Sequence, residues 1–226
     1  MNFWVSLRAI LVKDLKTELR SREFLGNTFM FAVIVIVIFN FAFRITPQNG
    51  PELASGILWI AFLFAGILGL GRCFIVEKEN DCMNGLTLTP LDRTALFWAK
   101  FAGNLIFILI IQVMVVPVFI ALYNINVMEH FFEQSLVFLL GDAGFMALGT
   151  LISAMSVNLR AREILLPVLL LPLLVPLLIF SAEASSVLIQ SGDMAVYYSR
   201  IKFVAAFDVI FFVACSLVFE YIVDET

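Results

Sequence analysis

Residues 101–123 read F-A-G-N-L-I-F-I-L-I-I-Q-V-M-V-V-P-V-F-I-A-L-Y, twenty-three positions without a charge. At about 1.5 Å of rise per residue, a helix of that length covers the roughly 30 Å hydrocarbon core of a bilayer. Backbone N–H and C=O groups find no water at that depth, so a spanning segment must be helical unless it closes into a barrel. The run lacks the alternation of a barrel strand, and it predicts a transmembrane helix.

Similar runs lie on both sides of it. Phe24 to Phe43 and Ile57 to Val76 precede it, and Leu136 to Val157, Ile164 to Phe180 and Val204 to Glu220 follow. The second is interrupted by Gly66, Gly69, Gly71 and Arg72, and a turn-rich loop from Arg44 to Gly56 carries the breaker cluster T-P-Q-N-G-P. Six spans are expected, at 24–43, 57–76, 101–123, 136–157, 164–180 and 204–220. They belong to a single transmembrane domain over 1–226, in an all-α integral membrane protein.

The composition agrees. The 226 residues are 62% hydrophobic and 14% charged, with mean hydropathy +1.03. Soluble domains run nearer about 45–50% apolar and about 25% charged. Six spans of roughly 20 residues use about 120 positions. The remainder leaves no room for a separate catalytic or nucleotide-binding domain. No G-x-x-x-x-G-K-[ST] occurs, so any ATP hydrolysis must belong to another subunit. A net charge of −4 points to no nucleic-acid partner. Cys73, Cys82 and Cys215 are scattered, without metal-site or disulfide spacing. The only histidine, His130, cannot build a zinc site alone, although a loop histidine near Met128 or Tyr123 has the chemistry of a haem ligand. The N-terminus lacks the pattern of a cleavable signal, since its first apolar run begins only near Phe24.

Residues 1–23 form a separate element. Phe3, Trp4, Leu7, Ile10, Leu11, Leu15 and Leu19 share one helical face, and Lys13, Lys16 and Arg20 the other. That is an amphipathic helix of the interfacial kind, too charged to span. Asp14 and Glu18 fall within the apolar face, with Arg22 one turn further on. Carboxylates aimed at lipid are costly, so the stripe is expected to meet protein; a plain membrane-surface anchor is the other reading.

Between spans two and three runs E-K-E-N-D-C-M-N-G-L-T-L-T-P-L-D-R-T-A-L-F-W-A-K, residues 77–100. Gly85 is a helix stop signal, and Thr89-Pro90 with Asp92 a start signal. A short helix held between two spans suits force transmission, although a bare solvated hairpin also fits. The segment from Ser181 to Phe203 is half apolar and is expected to form short re-entrant or surface helices around Ser191-Gly192. Pro167, Pro172 and Pro176 fall inside span five, as kinks or as ordinary membrane-helix prolines. Arg72, Asp142 and Asp208 are ionisable residues within or beside spans, a class that usually faces the bundle or a cavity.

Three stretches then resemble a known family. K-D-L-K-T-E-L-R-S-R-E (Lys13 to Glu23), the loop from Glu77 to Lys100 with its L-T-P-L, and the ending A-F-D-V-I-F-F…F-E-Y-I-V-D-E (Ala206 to Glu225) are similar to the CcmB family. These are membrane permease subunits of the haem exporter of cytochrome c maturation. The D-C-M-N-G stretch departs from the aliphatic helix usual in that loop. The resemblance implies a type-2 ABC exporter architecture: an elbow helix, six spans, and a homodimer in the bacterial inner membrane. It also implies a CcmA-like ATPase beneath the dimer, CcmC-, CcmD- and CcmE-like haem-handling partners, and haem as substrate rather than as bound cofactor. The ATPase would meet Glu77, Lys78, Glu79, Asp81, Leu86, Leu88 and Pro90, with Asp14, Glu18 and Arg22 docking the elbow helix. A permease of another type-2 exporter, for lipid, polysaccharide or drug, is an alternative, as is a non-transporting scaffold or secondary carrier.

Orientation follows from the cations. Eleven Lys and Arg residues lie on the side of the N-terminal segment, the second loop and the fourth, against Arg44, Arg200 and Lys202 on the other. Positive loops stay cytoplasmic, which puts both termini in the cytoplasm. An alkaline phosphatase fusion after Asn126 should be active and one at Thr226 inactive; the reverse pattern refutes this topology.

Overall fold

The structure is a computed structural model and describes residues 3–20, 22–43, 49–74, 93–125, 128–156, 162–190 and 192–224. Among them the chain is all helical. It runs through α1 (Phe3–Arg20), α2 (Arg22–Ala42), α3 (Gly50–Arg72), α4 (Arg93–Tyr123), α5 (Phe131–Ser156), α6 (Arg162–Ile189) and α7 (Met194–Asp224), with a 3-10 turn at Met128–His130. Six of these, α2 to α7, are long and apolar enough to cross a membrane.

Several helices outrun their apolar stretches. α3 starts at Gly50, ahead of the expected Ile57, because Pro51 occupies the first turn, where its missing N–H costs nothing. Asn49 stands at the cap, its carbonyl accepting from Leu53 N–H at 3.0 Å. The helix stops at Arg72 rather than Val76, with Cys73 as its cap. α4 takes in residues 93–100 because no breaker separates Arg93 from Phe101.

The reading of Ser181 to Phe203 as re-entrant or surface helices is corrected. α6 continues to Ile189 and α7 begins at Met194, with only a tight turn between them. The stretch 181–189 contains no Gly or Pro to end the helix. At the turn Gly192 N–H donates to the Val187 carbonyl at 2.9 Å, and the Asp193 carboxylate caps α7 by accepting from Ala195 N–H at 2.8 Å. Glu183 then pairs with Arg200 across the hairpin at 2.9 Å.

α3 and α5 form the centre. They bury 67% and 61% of their most apolar stretch, against 22–33% for the other spans. Glycine makes this possible. Gly66 lies against the Phe145 ring, Gly149 against Leu70, and Gly141 against the Trp59 ring. Small residues are the usual means of bringing membrane helices close, because lipid tails are as apolar as Leu and supply no hydrophobic squeeze. Gly66 and Gly69 of span two, the latter against the Phe107 ring of α4, are therefore contact points rather than interruptions, whereas Gly71 meets nothing.

α6 packs on this centre with one seam: Leu166, Leu170, Leu174, Leu177, Ser181, Ala184 and Leu188 are all buried. Pro172 and Pro176 sit on its exposed side and Pro167 is half-buried, so the helix runs unbroken through all three. α1 lies across the start of α4, its inner face formed by Ser6, Ile10, Leu11 and Asp14. Trp4, expected on that face, points outward and is exposed.

The packing predicts opposite outcomes at two glycines. In Gly141→Ala the new methyl meets the indole of Trp59, which a hydrogen bond holds in place, and about 1–3 kcal/mol of stability is lost. In Gly71→Ala the methyl meets nothing within 4 Å, and the higher helix propensity of Ala leaves the protein unchanged or slightly more stable. Thermal unfolding of the two detergent-solubilised variants compares them.

Candidate functional site

Polar side chains inside the bundle fall into two groups. The first surrounds the C-terminal end of α3, where the last carbonyls of a helix have no partner within it. Two neighbouring side chains donate to carbonyls there, and a third donates to side chains beside them. Lys100 Nζ donates to the Cys73 carbonyl at 3.0 Å, and Ser153 Oγ to the Leu70 carbonyl at 2.8 Å. Asn104, one turn beyond Lys100 on α4, donates through Nδ2 to Thr150 Oγ1 at 2.9 Å and lies 3.2 Å from Cys73 Sγ.

Lys100 also reaches α1. Its ammonium is 2.9 Å from Asp14 Oδ2 and lies over the Phe74 ring, 5.2 Å from the centroid. The exposed Lys13 takes the other carboxylate oxygen at 3.0 Å. With side chains only 4% and 12% exposed, Lys100 and Asp14 form a pair withdrawn from water. Attraction in such a pair is largely offset by desolvation, but removing one partner strands the other at a cost of about 3–5 kcal/mol. A cation at a helix C-terminus also opposes the helix dipole favourably. At the same end Arg72 places its guanidinium 4.4 Å from the centroid of the Phe24 ring, which explains a charge so close to a span.

The second group lies further from that end, from the middle of the helices towards the opposite end. Ser185 Oγ on α6 accepts from both Trp59 Nε1 and Gln134 Nε2, each at 3.0 Å, and so ties α3, α5 and α6 together. Asp142 is fully buried on α5 and faces Gln112 of α4. Asp208 of α7 lies against Gly144 of α5, where any side chain larger than hydrogen would displace it. Among the described residues, neither carboxylate has a protein hydrogen bond of good geometry. Residues two apart on a helix point about 200° apart. Asp142 and the Gly144 contact with Asp208 are therefore on opposite sides of α5. The structure does not bring Arg72, Asp142 and Asp208 together.

Other expected positions are placed only in part. The side chains of Glu18 and Arg22 lie outside the described residues, as do Glu77, Lys78, Glu79, Asp81, Leu86, Leu88 and Pro90 and the helix signals at Gly85 and Thr89. His130 ends the 3-10 turn, half-exposed, and the Met128 side chain is likewise outside. Sequence reasoning missed Lys100, Asn104 and Gln112 as interior residues. The available signal was spacing: they recur at intervals of four and eight along an otherwise apolar helix, on the stripe shared by Phe97, Ile108 and Val115.

The family described as CcmB protein matches residues 5–220. Heme exporter protein B of Rhodobacter capsulatus is 33% identical over 178 residues, covering 78% of this chain and 81% of that protein. The Paracoccus denitrificans protein of the same name is 31% identical over 79% of this chain and 81% of its own length. That of Haemophilus influenzae is 29% identical over 87% of both. With a match over nearly its whole length and these relatives at about 30% identity, the multi-pass helical membrane protein described above belongs to the CcmB family.

Proposed function

We propose that this chain is the permease subunit of a haem exporter acting in c-type cytochrome maturation, driven by ATP that a separate subunit hydrolyses. The observation carrying this is the match to proteins named Heme exporter protein B across about four-fifths of their length. Six spans around a closely packed centre suit a permease that moves in response to force from outside the membrane. In this reading two copies associate in the bacterial inner membrane, with both termini and α1 on the cytoplasmic face. A CcmA-like ATPase docks beneath them, and CcmC-, CcmD- and CcmE-like proteins handle haem beside them.

The connection through Glu77, Lys78, Glu79, Asp81, Leu86, Leu88 and Pro90 is the proposed ATPase contact. It joins the end of α3 to the start of α4, so a displacement there passes into both spans. Coupling requires that the ATP-bound and ATP-free partner hold it differently, since equal binding shifts no equilibrium.

Deleting the gene should abolish the haem-stained c-type cytochrome bands of the membrane, and a plasmid copy should restore them. Persistence of those bands in the deletion strain refutes the haem reading. Reversing the charges of Glu77 and Glu79 should lower permease-stimulated ATP hydrolysis while membrane insertion and dimerisation persist. Cysteines at positions 83 or 84 should cross-link to the ATPase; links formed only from residues 158–163 move the contact to the next cytoplasmic loop.

A further inference from the structure

The ion pair between α1 and α4 does more than anchor a surface helix. Apolar contact already holds α1 in place: Ile10 is buried, and Leu11 lies 3.9 Å from where a Cβ on Gly103 would be. An anchor needs no carboxylate on its inner face, and burying one adds desolvation cost. What the carboxylate adds is connection. An ammonium has three donors; Lys100 gives one to Asp14 of α1 and one to the Cys73 carbonyl at the end of α3. Its own backbone belongs to the first turns of α4. One cation thus ties together three helix segments, two of which are the points where the chain leaves the second span and enters the third.

We propose that Lys100 is a positioning residue for energy coupling: held by Asp14 and the Cys73 carbonyl, it makes α1, the end of α3 and the start of α4 move as one body. This rests on the reading that a separate ATPase drives the chain. Among the described residues the ion pairs of Asp14 are with Lys13 and Lys100, and its influence at the end of α3 passes through Lys100.

The test uses the permease assembled with its ATPase subunit in lipid nanodiscs, as wild type, Asp14→Asn and Lys100→Met. Amide exchange is measured at residues 70–74 and along α1, and ATP hydrolysis with and without permease. Lys100→Met should speed exchange in both regions. Asp14→Asn should also speed it at residues 70–74, by about five- to tenfold, the low end of usual site-to-site coupling, and permease stimulation of hydrolysis should fall by a similar factor. A purely local pair would loosen α1 alone.

A second variant guards against simple misfolding. The Cβ of Asp14 lies 4.0 Å from a Cβ built on Gly103, within the disulfide range of about 3.5–4.5 Å. In Asp14→Cys/Gly103→Cys, oxidation should restore α1 protection and stimulation, and reduction should remove both. Wild-type exchange at residues 70–74 together with wild-type stimulation in Asp14→Asn overturns the positioning role. A wild-type permease that never stimulates its ATPase refutes the exporter reading instead, before any variant is made.

Discussion

Lipid tails offer a folded helix no hydrophobic reward for leaving them, so this bundle depends on how closely backbones approach. The approach is closest at α5. Gly141, Gly144 and Gly149 present backbone to Trp59, Asp208 and Leu70, while Phe145 fills the notch at Gly66. Van der Waals contact over these notches replaces the solvent-driven burial of a soluble core. With its neighbours drawn in from several sides, α5 leaves no face for lipid between Gly144 and Thr150. Any movement of the bundle must therefore be a movement around α5.

Close packing excludes water as well as lipid, which makes every interior polar atom a matter of partners. The group at the C-terminal end of α3 meets that demand by using carbonyls there as acceptors: Lys100 serves that of Cys73, and Ser153 adds a donor to that of Leu70, which also accepts from Cys73 N–H. The second group meets it with Ser185, a single hydroxyl serving two donors from two helices. Asp142 and Asp208 are different in kind. Each occupies a place where glycine or glutamine on a neighbour makes room for it, and an ionisable residue retained at such depth is a recognised mark of function in membrane proteins.

Much of the architecture was legible in the chain because the bilayer allows few answers. An uncharged run such as 101–123 has to be a helix, and the number of such runs gives the number of spans. Boundaries were harder. Hydropathy sees where apolar residues stop, whereas helices stop at caps, so residues 181–189 continued α6 until Gly192 and Asp193 turned the chain. The site was the least legible. Asp14 stood out as a carboxylate on an apolar stripe, yet its partner Lys100 is eighty-six positions away and reads in sequence only as one more cation counted for orientation.

The tight turn between α6 and α7 bears on how the chain enters the bilayer at all. Taken alone, α7 is a reluctant span: it carries Arg200, Lys202 and Asp208. α6 is strongly apolar, and its one charge in the C-terminal half, Glu183, sits 2.9 Å from Arg200 once the turn has formed. Paired charges partition into an apolar medium far more readily than separate ones. The two helices are therefore better suited to leave the insertion machinery together, as a preformed hairpin, than one after the other.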